Sequence, residues 1–266
     1  MFDAIETAEL HPEPVPWFIA DDVLPSGLLD EMHRHWPSSG FTPEVPQNYV
    51  CDLVAPLDPF WADFKAGPCV SVCQKAISRF WPWISARYGP NVTIEPGYIS
   101  LMQADPGYPG HIVHTHHYHD PEWCATLLLY LDRDSCGVQG TTLLRSTALN
   151  LDEEIRIAAA NVPVWRSMKF EEVVTADYMP NRLFAMLDSP ISYHCVKPAA
   201  PNAVGGRRIF RVHLKAPNHY VQSIYGVPLD TYQNMRWHSP TATTDPIVIG
   251  WLKRDLEELR GVKWAG

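Results

Sequence analysis

Charge is scarce in this sequence: only 19% of the 266 residues are Asp, Glu, Lys or Arg, against roughly 25% in an average soluble domain. Basic residues are the rarer kind, 21 against 30 acidic ones, for a net charge of −9. They are scattered, so no patch suited to a phosphate backbone forms, and we expect no nucleic-acid partner. No stretch approaches the roughly 18 uninterrupted apolar residues of a membrane span. The opening MFDAIETAELHPEPVPWF has no basic segment ahead of an apolar run, so we expect no secretory signal in it. A cytoplasmic protein without a membrane partner is expected. Cysteines number six (Cys51, Cys69, Cys73, Cys124, Cys136, Cys195) and include no C-x-x-C pair. That excludes a disulfide scaffold and a zinc ribbon; Cys69 and Cys73, four apart in a helical pattern, read as buried thiols.

Proline, in contrast, is abundant, with 25 residues, about twice the usual ~5%. Stiff turns are therefore frequent and an all-helical bundle is excluded. With 46% hydrophobic residues the chain can fill a sizeable core. Neither an internal repeat nor a Gly/Ser linker divides it, so residues 1–266 are read as one domain. Within it, 1–90 form an N-terminal strand and helices, 91–217 the core, and 218–266 a loop and final helix.

Pro16 to Ala20 is a short apolar strand. Leu28, Leu29, Met32 and Trp36 recur at helical spacing after Ser26, an apt N-cap, and Pro37 closes that helix. Residues 59–88 are again helical, broken at Gly67-Pro68 and bent or ended around Pro82. From Val92 the pattern changes to short runs of strand type, VTIEPGYISLMQA, HIVHTHH, WCATLLLYLD, GTTLLRS, MKFEEVVTA, NRLFAML, ISYHCV and RRIFRVHLKA, separated by turn residues. Strands at this spacing predict a mostly β protein with flanking helices, its core a jelly-roll or cupin-like double sheet. The acids of NLDEEIRIAAANV are read as a solvated face, and DPIVIGWLKRDLEELR as the closing helix.

The 12 histidines are unevenly spread: His111, His114, His116, His117 and His119 fall within nine residues. On a strand His117 and His119 point to the same face, as adjacent ligands of one metal must. His194 in ISYHCVKP supplies a third imidazole from a late strand. His111, His114 and His116 are read as packing or surface residues. In GGRRIFRVHLKA, alternation puts Arg208 with Phe210, Val212 and Leu214 on the apolar face, and Arg207 and Arg211 on a face read as solvent-exposed. A guanidinium on the apolar face needs an anion, and its planar fork fits a carboxylate.

These residues resemble the Fe(II)/2-oxoglutarate-dependent oxygenases, bacterial small-molecule and amino-acid hydroxylases among them. The matching stretches are His117-Tyr118-His119-Asp120-Pro121, Thr126 to Leu131, Gly140-Thr141-Thr142-Leu143, Pro180-Asn181-Arg182-Leu183-Phe184, His194-Cys195-Val196-Lys197-Pro198 and Arg208. The resemblance implies a double-stranded β-helix core and iron held by His117, His119 and His194. It further implies 2-oxoglutarate chelated to the iron with its far carboxylate on Arg208, and O2 at the last position. Oxidative decarboxylation then releases succinate and CO2 and leaves a ferryl species that hydroxylates a small molecule, amino acid or peptide.

One position departs from the pattern. The family usually places a carboxylate two residues after its first histidine; here that residue is His119, with Asp120 one place later. Either three imidazoles hold the metal, or a kink before Pro121 lets Asp120 replace His119. A register on His114 and His116 ranks below these, because it lengthens the gap to the TLLLYL strand and has no acid nearby. Three neutral ligands leave the full +2 charge on iron. Two rival readings follow: a cupin-type three-histidine iron oxygenase that does not use 2-oxoglutarate, and a non-catalytic β-barrel holding a closed structural metal site.

Overall fold

The computed structural model describes residues 2–53, 58–117, 120–133, 137–216, 219–239 and 241–261. In chain order its strands are β1 (Leu10–His11), β2 (Trp17–Ala20), β3 (Thr42–Val45), β4 (Asn48–Asp52), β5 (Glu95–Ala104), β6 (His111–His114), β7 (Trp123–Tyr130), β8 (Thr141–Ser146), β9 (Phe170–Thr175), β10 (Leu183–Leu187), β11 (His194–Val196) and β12 (Arg207–Lys215). They pair antiparallel into a large sheet, ordered β1-β2-β10-β7-β12-β5-β4-β3, and a small one, β6-β11-β8-β9. This is the double-sheet core expected from the sequence, a double-stranded β-helix with helices added.

The helices are α1 (Asp3–Thr7), α2 (Ser26–Arg34), α3 (Pro59–Phe64), α4 (Val70–Tyr88), α5 (Leu151–Ala159), α6 (Val162–Trp165), α7 (His219–Tyr225), α8 (Leu229–Gln233) and α9 (Pro246–Gly261). Ser26 begins α2 rather than capping it; Pro25 stands at the cap with no side-chain bond. Asp58 does cap α3, accepting from the Phe60 amide at 2.9 Å, and Pro59 follows where no amide partner is needed. The expected break at Gly67-Pro68 is a π turn, Lys65–Cys69, that leads straight into α4. Pro82 does not end α4, whose last turns bury Trp83, Ile84 and Tyr88. No helix among the described residues is long and apolar enough to cross a membrane.

Two cores explain why the central strands are apolar on both faces. Helices α3 and α4 cover the outer face of the large sheet, where Trp61, Phe64 and Phe80 pack with Leu127, Leu129, Phe210 and Val212. Between the sheets and under α9 lie Leu128, Tyr130, Ile209, Leu143, Tyr193 and Leu256. A strand sandwiched this way reads as a near-continuous hydrophobic run, as WCATLLLY does.

The β3–β4 hairpin was not expected from the sequence. Its first strand is mostly exposed, carries Pro43, and forms the edge of the large sheet, where a missing amide costs no ladder bond. Gln47, at φ 61, makes the turn. Helix α5 is not wholly solvated either: Glu154 is buried and accepts a hydrogen bond from Arg260.

Candidate metal centre

Strand β6 ends at His114, which pairs across the small-sheet ladder with His194 of β11. The chain then leaves strand geometry, and His116, two residues on, turns its ring back to the same place. Ring centroids of His114 and His194 are 4.1 Å apart, of His116 and His194 4.5 Å, and of His114 and His116 5.3 Å. One ligand nitrogen from each lies within 4.8 Å of the others. Gly110 makes this approach possible at the start of β6: its φ is +87, and a Cβ there would stand 2.3 Å from the Val196 carbonyl oxygen.

Each of the three rings has its Nδ1 engaged by an acceptor. His114 Nδ1 donates to the Ile112 carbonyl at 2.8 Å, His194 Nδ1 to the Ser192 carbonyl at 2.9 Å, and His116 Nδ1 to Asp188 Oδ1 at 3.1 Å. These bonds place the proton on Nδ1 and leave every Nε2 lone pair free, the tautomer a metal requires. Burial, with the neighbouring imidazoles second, pushes His114 and His194 well below the usual histidine range, so both rings are neutral. A set of three imidazole nitrogens with the remaining positions open suits Fe(II), and equally a catalytic zinc.

The cluster lies in a cavity of about 510 Å³ between the two sheets, within the usual size for a small-molecule site. One wall is aromatic: Trp123 stacks on His213 at 4.2 Å, and Tyr98 stacks on Trp123 at 6.3 Å. Arg207 and Arg211 of β12 form another. Arg211 is already neutralised, donating to Glu44 Oε1 at 3.0 Å and to Ser100. Arg207 is 4% exposed, its Nε has no hydrogen-bond partner, and no carboxylate among the described residues pairs with it. Its guanidinium lies 5.9 and 5.8 Å from the Tyr108 and Tyr178 rings. A buried cation of this kind can accept an anion as its partner.

The residues singled out in the sequence are only partly brought together. His194 is in the cluster. His117 is not: it lies past the end of β6, so period-2 alternation does not apply, and it points under α9. There its Nε2 accepts from Arg87 at 2.7 Å and contacts Tyr225 Oη at 3.2 Å, with Asp255 behind them at 3.5 Å. Burial, and then the Arg87 charge, push it down to about 3. His119 lies outside the described residues. Asp120 faces Lys215, 3.2 Å away, and accepts from the Glu122 amide. The register ranked lowest, His114 with His116, is the one that faces His194.

Arg208 also lies elsewhere. It sits at the rim of the helix-covered face, over Trp36 at 5.3 Å and beside Asp132. Arg207 and Arg211, read as solvent-facing, are buried at 4% and 8% exposure. The inversion has a simple cause: on β12 the apolar residues pack under helices, so the polar face is the one lining the barrel. Two signals in the sequence bear on these positions: His114-Thr-His116 is a second pair at two-residue spacing, and Gly205-Gly206 leads directly into Arg207.

No family model and no curated protein matches the sequence. Solved structures do. A prolyl hydroxylase from Trichoplax adhaerens, in complex with a peptide fragment of the hypoxia inducible factor oxygen degradation domain, superposes with a TM-score of 0.52 at 17% identity, over 78% of this chain and 86% of that one. A prolyl 4-hydroxylase from Phytophthora capsici gives 0.50 at 15% identity, over 91% and 70%. The chain has the prolyl hydroxylase fold. A 2OG-Fe(II) oxygenase family protein from Burkholderia pseudomallei is also similar, with a TM-score of 0.48 and 9% identity over 75% and 84%. In this fold the histidine cluster sits where β6 and β11 meet, in the cavity that β12 also lines.

Proposed function

We propose that the chain is an Fe(II)- and 2-oxoglutarate-dependent dioxygenase that hydroxylates a small molecule, amino acid or peptide. Iron is assigned to His114, His116 and His194, and the far carboxylate of 2-oxoglutarate to Arg207. The observation that carries this reading is the meeting, in one cavity, of three imidazoles with free Nε2 lone pairs and one buried guanidinium that no carboxylate among the described residues neutralises. The motifs that carry the family resemblance name the same classes of residue three places later in the histidine segment, at His117 and His119, and one place later on β12, at Arg208.

Bound iron supplies the O2 chemistry, for which no side chain is suited, with 2-oxoglutarate as the two-electron reductant leaving as succinate and CO2. The protein's part is to hold and orient. The ladder between β6 and β11 fixes His114 against His194, and the Nδ1 bonds stop the rings from rotating. Arg207 presents a planar fork to a carboxylate in a dry pocket, where the charge-assisted pair is strong. Trp123 and His213 offer a flat wall against which a substrate can shed water. The peptide held by the Trichoplax adhaerens relative supports a peptide as one member of the substrate class. Free thiols at Cys51, Cys69, Cys73, Cys124 and Cys195 agree with a reducing, cytoplasmic setting.

His116 stands two residues after His114, where the resemblance expects a carboxylate, and this favours one alternative, a three-histidine iron oxygenase that does without 2-oxoglutarate. The two are separated by adding Fe(II) and then 2-oxoglutarate to the metal-free protein under anaerobic conditions. A weak visible charge-transfer band is expected, and the Arg207→Ala variant should need far more 2-oxoglutarate to produce it. Iron bound without any band would put the alternative first, and failure to bind iron would refute both.

A further inference from the structure

A second group lies directly behind the cluster and shares one of its members. His116, Asp188 and His213 also bring ligand atoms within 4.8 Å of one another, but the space between them is filled. Thr126 Oγ1 stands 2.8 Å from His116 Nδ1, 2.9 Å from His213 Nδ1 and 2.7 Å from Asp188 Oδ2. A hydroxyl occupies the position an ion would take, so this group is a hydrogen-bonded hub and not a second metal site.

The hub has one consistent assignment. A hydroxyl has one donor and two acceptor sites, and an ionised carboxylate only accepts. Thr126 therefore donates to Asp188 Oδ2 and accepts from His213 Nδ1, while His116 Nδ1–H is shared between Thr126 and Asp188 Oδ1. Rigid strands hold all four: Thr126 on β7 is directly opposite His213 on one side and Met186 on the other. Asp188 follows β10, and its amide donates to the Cys124 carbonyl at 2.9 Å.

The Asp188 side chain is fully buried, yet His116 is its one ion-pair neighbour among the described residues, with no Lys or Arg beside it. A buried carboxylate without a cation is costly. The nearest place for the missing positive charge is the far nitrogen of His116, which faces His114 and His194. We propose that Asp188 is the positioning carboxylate of the metal centre. Acting through His116 Nδ1 and braced by Thr126, it supplies from behind the ring the negative charge that a carboxylate ligand would supply directly. This rests on the assignment of the metal to His114, His116 and His194.

The test uses Co(II) as probe, titrated into the metal-free full-length protein and followed by its visible ligand-field absorption, with no turnover involved. Asp188→Asn is expected to weaken Co(II) binding by roughly 10- to 100-fold, the usual effect of losing the carboxylate behind a metal-bound histidine. It should also shift the absorption bands. Thr126→Val is expected to weaken binding by a smaller factor, and Thr126→Ser to restore it. Melting of the metal-free proteins separates this role from mere support. Removing an uncompensated buried charge should leave metal-free Asp188→Asn at or above the wild-type melting temperature, while Co(II) raises it less. Wild-type-like Co(II) affinity in both Asp188→Asn and Thr126→Val would overturn the proposal and leave the metal assignment standing. A wild-type protein that gives no Co(II) spectrum would overturn the metal assignment itself, and the proposal with it.

Discussion

His194 lies directly opposite His114 across the β6–β11 ladder, with their ring centroids 4.1 Å apart. Two residues 80 positions apart in the chain are thereby held as neighbours by backbone hydrogen bonds, and His116 completes the set from the turn that follows. The arrangement leads to four predictions besides the Asp188 test.

His114→Ala, His116→Ala and His194→Ala should each lower bound iron at least tenfold, since each deletes one of the three proposed ligands. His117→Ala should leave iron binding intact. It should instead lower stability by about 2–3 kcal/mol, because it opens a hole under α9 and strips Arg87 and Tyr225 of a buried partner. Metal analysis together with denaturant unfolding checks both halves. Iron lost in His117→Ala but kept in His114→Ala would restore the register read from the sequence.

Arg207→Ala should raise the 2-oxoglutarate concentration needed for half-saturation by roughly 10- to 100-fold, the weight of a charge-assisted pair in a dry site. Arg208→Ala, at the exposed rim beside Asp132, should change it by less than about twofold, as exposed pairs contribute little. Binding titrations on the two variants decide which neighbour on β12 is the anchor.

Gly110→Ala should destabilise the protein by about 1–3 kcal/mol through its positive φ alone, and more through the 2.3 Å approach to the Val196 carbonyl. Because the clash forces β6 away from β11, iron affinity should fall as well. A glycine serving only a loose turn would show the stability loss without the weaker binding.

Metal-free protein should lose stability as pH falls below 6.5. Burial, and after it the Arg87 charge, hold His117 down to about 3 from 6.5, so between these values the unfolded chain carries a proton that the folded one lacks. Stability then rises with pH at about 1.4 kcal/mol per pH unit for each such histidine. His114, His194 and His213, lowered first of all by burial, act in the same direction. Urea midpoints at pH 4, 5, 6 and 7, each on the order of one unit apart, should climb steadily; a flat profile would contradict the neutral, buried state of these rings.

The sequence by itself determined the class of the fold and marked the segments from which the candidate site is built. Period-2 runs separated by turn residues carry the double sheet, helical spacing at 26–36 and 59–88 carries the outer layer, and the crowding of imidazoles marks a candidate metal segment, because each signal is local and depends only on neighbours in the chain. Which histidines meet in one cluster and which arginine faces them was decided by the tertiary structure. His117 and His119 satisfy the strand rule only if the strand continues, and β6 stops at His114. Arg208 sits on the apolar face of β12, but with helices α3 and α4 covering that face the barrel interior is the other one. Alternation tells two faces apart, and only packing tells which is inside.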